Sequence, residues 1–312
     1  MGFFRKEYSA HLALFMVNTL YGANHVLAKG VMPQFLTPNV FILFRILGAT
    51  ILFWLVKSFY VKEKIDKKDL LMMAVCAVFG VAVNQLFFFH GLNLSSAINS
   101  GIFMSINPIL VTILSLFILK DKVTLVRAFG IVLGTTATIL LTLTAGTGQG
   151  DSVLGDTFLF INAVSYAIYL VMAKPLMRKY SPLTVITWVF TFGLLFVLIF
   201  PPTLLDLTNT NFSVIPSHVW YKIIYVIIGV TFFTYLLTMY GLKYLSPTVS
   251  SSYIYFQPIL VMVFAYVFLN MGISDDYTQT ITLEKTGYMS AIFLAVYLTS
   301  KGKLSIKRDQ FN

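Results

Sequence analysis

The 312-residue sequence holds a single cysteine, Cys76. That excludes an intrachain disulfide and any multi-cysteine metal site. Cys76 lies in an apolar run, where the expected role is that of a small buried hydrophobe. Charge is scarce as well. Asp, Glu, Lys and Arg make up 11% of the chain, against roughly 25% in a soluble domain. Paired carboxylates, a histidine cluster and a Ser-His-Asp arrangement are all missing. No catalytic residue is therefore assigned, and neither a metal nor a cofactor is expected. The rings of charge or repeated filter segments that a channel favours are also missing.

What is present is apolar. Hydrophobic residues account for 58% of the chain and fall in runs of about 20, long enough to cross a bilayer at about 1.5 Å rise per residue. The pattern predicts an all-α polytopic membrane protein with ten transmembrane helices: 10–30, 38–57, 70–90, 93–119, 124–143, 154–174, 182–200, 219–242, 246–269 and 283–300. Arg5 and Lys6 before the first run resemble the start of a signal peptide. The run is too long and lacks a clear small-residue cleavage site, so it reads as a retained helix. The net charge of +10 does not point to nucleic acid, because the basic residues cluster at the ends of apolar runs. With both termini cytoplasmic, 18 of the 22 Lys and Arg residues fall on the inner side, as the positive-inside rule demands.

The chain also repeats itself. Asn107-Pro108-Ile109-Leu110-Val111 matches Gln257-Pro258-Ile259-Leu260-Val261 at an offset of 150, and Gly91, Ser96 and Ser100 meet Gly241, Ser246 and Ser250. From 90 to 119, 9 of 30 aligned pairs are identical. A period this long means a duplicated half. Residues 1–143 form the first five-helix repeat, 144–153 an outer linker, and 154–312 the second repeat with a cytoplasmic tail. Five spans is an odd number, so the second repeat enters the membrane inverted. Gly146-x-Gly148-x-Gly150 in the linker lacks the strand and helix that a phosphate loop needs. Seven residues, among them Asp275 and Asp276, are inserted after the ninth span and are expected to form an exposed loop.

Inversion places Asn107 and Gln257 at similar depth, each next to a proline that frees a carbonyl one turn earlier. Two readings stand: a substrate cavity at the midplane, or helix-to-helix glue. The first span carries Asn18, Tyr21, Asn24, His25 and Lys29, of which Asn18, Tyr21 (or Gly22), His25 and Lys29 fall along one face that must look into the bundle. Arg45, seven residues into the second span, is the one charge clearly inside a span. It is read as functional or as snorkelling outward. Asn84, Gln85 and Phe88 end the third span, Tyr166 and Tyr169 follow Asn162 at i+4 and i+7 in the sixth, and Tyr235 and Tyr253 lie in the eighth and ninth. Tyrosines mixed with amides suit a cavity for a partly polar solute, although aromatics also pack or sit at interfaces. Gly130-x-x-x-Gly134 and Gly287-x-x-x-Ala291 allow close helix approach, either within the monomer or at a homodimer face formed by the fifth and tenth spans.

Taken together, these features resemble the EamA family of the drug/metabolite transporter superfamily over nearly the whole chain. The resemblance rests on Tyr21-Gly22-Ala23-Asn24 with Lys29, on Arg45, on Pro108 and Pro258, and on Asp121 after the fourth span. Tyr21 stands where that family commonly has tryptophan, and Met271 where it has an acid. The resemblance implies a carrier that exports or exchanges amino acids, nucleobases or drug-like solutes across a bacterial inner membrane, as exporter, facilitator or exchanger, with a small-molecule substrate and lipid as its partners. The expected mechanism is alternating access of two halves around a cavity lined by spans 1, 3, 4, 6, 8 and 9. A membrane enzyme and a receptor or channel are the alternatives. None of the 12 carboxylates lies inside a span, which favours facilitated diffusion or exchange over proton coupling.

Overall fold

The computed structural model describes residues 2–94, 100, 104, 106–118, 124–144, 153–273 and 283–301. Among these residues the chain is helical, with no strand. The helices that organise it are α1 (Gly2–Lys29), α2 (Pro38–Tyr60), α3 (Lys67–Leu94), α4 (Asn107–Ile118), α5 (Leu125–Thr144), α6 (Val153–Lys179), α7 (Pro182–Leu198), α8 (Ser217–Tyr244), α9 (Pro247–Asn270) and α10 (Leu283–Lys301). Five of the described helices, α2, α3, α6, α8 and α9, are long and apolar enough to cross a membrane, and six are if the bent pair beginning with α7 counts as one span. By that measure α1 falls short because Asn18, Asn24 and His25 interrupt its apolar run. The linker and the inserted loop lie outside the described residues.

Local chemistry explains where helices begin. Thr37 and Ser181 cap α2 and α7 by accepting from Val40 N and Thr184 N, and each is followed by a proline at the first helical position, where no amide donor is needed. Ser246-Pro247 opens α9 in the same way. After α7, Pro201 and Pro202 start an additional short helix, Pro201–Asn209, bent by 73°. The apolar pattern of the seventh span does not anticipate it. This short helix anchors one end of the bundle: Asn39 Nδ2 donates to Asp206 Oδ2 at 2.8 Å, and Asn39 Oδ1 lies 2.8 Å from His90 Nε2.

Two helices depart from regular winding at related places. Val78–Ala82 in α3 and Val226–Phe233 in α8 are wound as π turns, a distortion that occurs often at functional sites. Side chains satisfy the loosened carbonyls. Ser165 Oγ donates to Phe79 O at 2.6 Å, and Thr231 Oγ1 donates to Val226 O at 2.8 Å.

Packing follows the same two-part logic. α1 lies on α8 and α9, as α6 lies on α3 and α4; α2 packs on α8, as α7 packs on α3. One apolar cluster joins α2, α3, α6, α7 and α8, and a second joins α1, α5, α9 and α10. Cys76 is fully buried in the first. Ile51, Leu55, Leu71, Val132 and Leu195 are exposed on the outside, the apolar girdle expected of a lipid-facing surface. Gly130 and Gly134 turn toward α10 of the same chain. A Cβ on Gly130 would sit 2.7 Å from Thr299 Oγ1, and one on Gly134 would sit 2.6 Å from the Tyr255 ring. These small residues therefore serve close helix approach within the monomer.

Lys174 near the end of α6 holds the end of α8. Its Nζ donates to the carbonyls of Leu242 at 2.5 Å, Leu245 at 2.7 Å and Lys243 at 3.3 Å, where helical carbonyls run out of partners and favour a cation. Lys174→Met is expected to cost about 2 kcal/mol. Thermal denaturation in detergent should show a midpoint several degrees lower, whereas an unchanged midpoint would mean that other groups hold those carbonyls.

Candidate functional site

A cavity of about 80 Å³ lies between the helices. Its walls come from both halves of the chain. α1 supplies Asn18, Tyr21, Asn24 and His25, α2 supplies Arg45, and α3 supplies Asn84, Gln85, Phe88 and Phe89. Opposite them stand Asn162, Tyr166 and Leu170 of α6, Tyr235 and Thr238 of α8, and Ser250, Ser251, Ile254 and Gln257 of α9, with Met104 ahead of α4. Spacing along α1 accounts for that wall, since 18, 21 or 22, and 25 recur on one helical face. Arg45 adds α2 to the helices expected to line the cavity.

Polar groups bind the walls to each other. Gln257 Nε2 donates to Asn18 Oδ1 at 2.9 Å, joining α9 to α1. His25 Nδ1 lies 3.1 Å from Ser100 Oγ, and its ring meets the Phe88 ring edge-on at 5.6 Å. Gln85 Nε2 donates to Tyr235 OH at 3.2 Å, and Tyr235 OH is 3.2 Å from Gly80 O in the α3 π turn. Asn162 Nδ2 donates to Asn84 O at 2.8 Å. The α3 π turn thus brings the Gly80 carbonyl into contact with the cavity side chain of Tyr235.

Arg45 is 3% exposed. Its Nε donates to Thr231 Oγ1 at 3.0 Å, and its guanidinium carbon sits 4.4 Å from the centre of the Phe89 ring. It does not reach outward toward headgroups; the Thr231 hydroxyl within the α8 π turn holds it inside. Among the described residues lining the cavity it is the one permanent charge, and no carboxylate accompanies it. Several buried atoms in these walls also find no hydrogen-bond partner among the described residues: Asn24 Oδ1, Gln85 Oε1, Asn162 Oδ1, Ser250 Oγ and Arg45 Nη1.

Three residues expected at the cavity are placed elsewhere. Asn107 is fully buried at the start of α4, and its Nδ2 donates to Ala163 O at 2.9 Å, so it ties α4 to α6. Tyr169 packs over Gly80, with its OH donating to Met239 Sδ at 3.4 Å. The lining stripe on α6 runs 162, 166, 170, so the i+8 position replaces i+7. Tyr253 OH meets His11 Nδ1 at 2.6 Å. The cause is a 3₁₀ stretch, Tyr253–Phe256, whose three residues per turn set Ile254, and not Tyr253, above Gln257. Pro108 and Pro258 do not line the cavity; each is the second residue of a helical segment, Asn107–Ile118 and Gln257–Asn270. The side chain of Lys29, and Asp121, lie outside the described residues. Ser250 and Ser251 were not anticipated at the cavity. The alignment of Ser100 with Ser250 carried the signal, since Ser100 bonds His25 and Ser250 lines the wall.

Similarity to known proteins agrees with this arrangement. A solved crystal structure superposes with a TM-score of 0.72 over 96% of this chain and 99% of its own, at 16% identity, which establishes a shared fold. The uncharacterized transporters YetK and YyaM of Bacillus subtilis (strain 168) are each 26% identical to this chain. The YetK alignment covers 85% of this chain and 81% of YetK, and the YyaM alignment covers 84% and 86%. The sequence signature of the EamA-like transporter family matches residues 8–143 and 153–301. With both of those stretches matched, the chain belongs to the EamA-like transporter family.

Proposed function

We propose that this chain is a membrane carrier of the drug/metabolite type, a secondary transporter that moves small metabolites or drug-like solutes by alternating access. The carrying observation is that one cavity, largely apolar with amide, hydroxyl and guanidinium groups converging on it, takes its walls from both halves of the chain, the arrangement in which rocking one half against the other exposes a fixed site to each side in turn. The names of the relatives support the same reading. The halves are inverted repeats, both termini face the cytoplasm, and the cargo is an amino acid, a nucleobase or a similar solute. The absence of carboxylates among the described cavity residues favours facilitated diffusion or exchange over proton coupling. The test is reconstitution into liposomes loaded with a defined mixture of amino acids, nucleobases and organic acids, with the lumen followed by mass spectrometry. At least one solute is expected to exchange only when the protein is present; tight vesicles in which the protein moves none of the solutes would end the proposal.

A further inference from the structure

We infer that Arg45 is the anchor for a carboxylate, and that the solute is a small monocarboxylate whose body carries hydroxyl or N–H donors. This rests on reading the cavity as a solute site. A guanidinium buried to this extent needs an opposite charge, and a threonine hydroxyl and an aromatic face do not supply one. Its Nη1 has no partner among the described residues, although the residue lines the cavity. The planar fork fits a carboxylate in two parallel hydrogen bonds. Among the described cavity residues Arg45 has no second permanent cation beside it, which matches a monoanion better than a phosphate dianion. The unpartnered oxygens of Asn24, Gln85 and Asn162 supply acceptors for donors on the rest of the solute.

The experiment uses acids and their neutral amides as matched probes: lactate against lactamide, and mandelate against mandelamide. Dissociation constants come from the ligand-dependent thermal midpoint of the purified full-length protein. At least one acid is expected to bind about tenfold to a hundredfold more tightly than its amide, and Arg45→Gln is expected to erase that preference. Thr231→Val, which removes the hydroxyl orienting Nε while keeping side-chain volume, is expected to reduce it, and it serves where Arg45→Gln fails to fold. Equal affinity for acid and amide, no response to either acid, or a preference undiminished in the folded variants would overturn the assignment. Binding is measured without transport, so an acid-selective protein that moves nothing in liposomes would leave this assignment standing and remove the carrier reading.

Discussion

Gln257→Leu is expected to lower transport of the reconstituted solute by about tenfold or more while leaving a folded protein. The substitution keeps similar bulk but removes the amide that joins α9 to α1 through Asn18. Asn18 Oδ1 then loses its donor in a buried setting, at a cost on the order of 1–3 kcal/mol. The damage falls on the cavity, because both residues line it. Asn107→Leu is the informative contrast. Asn107 sits at the aligned position of the other half but bonds Ala163 O outside the cavity. Its loss should lower the thermal midpoint and leave solute selectivity unchanged. Initial rates of exchange and midpoints measured on both variants separate the two roles. Wild-type rates in Gln257→Leu would reduce that amide to a tie between helices.

A second large effect is expected at Gly80. A Cβ there would lie 2.4 Å from Cδ2 of Tyr169, and Tyr169 is itself fully buried. The ring cannot swing away without leaving the core, so Gly80→Leu must push α3 from α6 or rewind the π turn. Overpacking of this kind costs about 3 kcal/mol or more. The variant should accumulate poorly and denature at least several degrees below wild type. Adding Tyr169→Ala should recover part of the loss, since the two changes share one contact. Full stability in the single variant would mean that the π turn yields easily, and the account of α3 packing would fail.

The sequence makes some of this legible and hides the rest for identifiable reasons. The wall on α1 could be read because Asn18, Tyr21, Asn24 and His25 recur at helical spacing in an otherwise apolar run. The helix starts at Thr37-Pro38, Ser181-Pro182 and Ser246-Pro247 likewise carry their own chemistry. Winding is different. Nothing in the apolar residues 78–82 or 226–233 signals a π turn, because period-3.6 reasoning assumes the very regularity that is broken there. The same assumption places Tyr253 above Gln257, and the 3₁₀ stretch removes it. Asn107 and Gln257 look equivalent in the repeat, yet one amide meets a backbone carbonyl and the other a cavity side chain. Repeat symmetry specifies depth and neighbourhood; the partner depends on side chains that the two halves do not share.

Arg45 is one of those unshared features, and on the proposed reading of alternating access with a monoanionic solute it gives the carrier an electrical character. With no carboxylate among the described cavity residues, the solute-free cavity carries a net positive charge, and a cavity holding a monoanion carries none. The membrane potential therefore acts on the two forms unequally, at about 2.3 kcal/mol for each elementary charge moved through 100 mV. On that reading, loaded reorientation is nearly blind to voltage, whereas the return of the empty carrier responds to it. A one-for-one exchange of monoanions runs without net current, and a net flux of solute draws one.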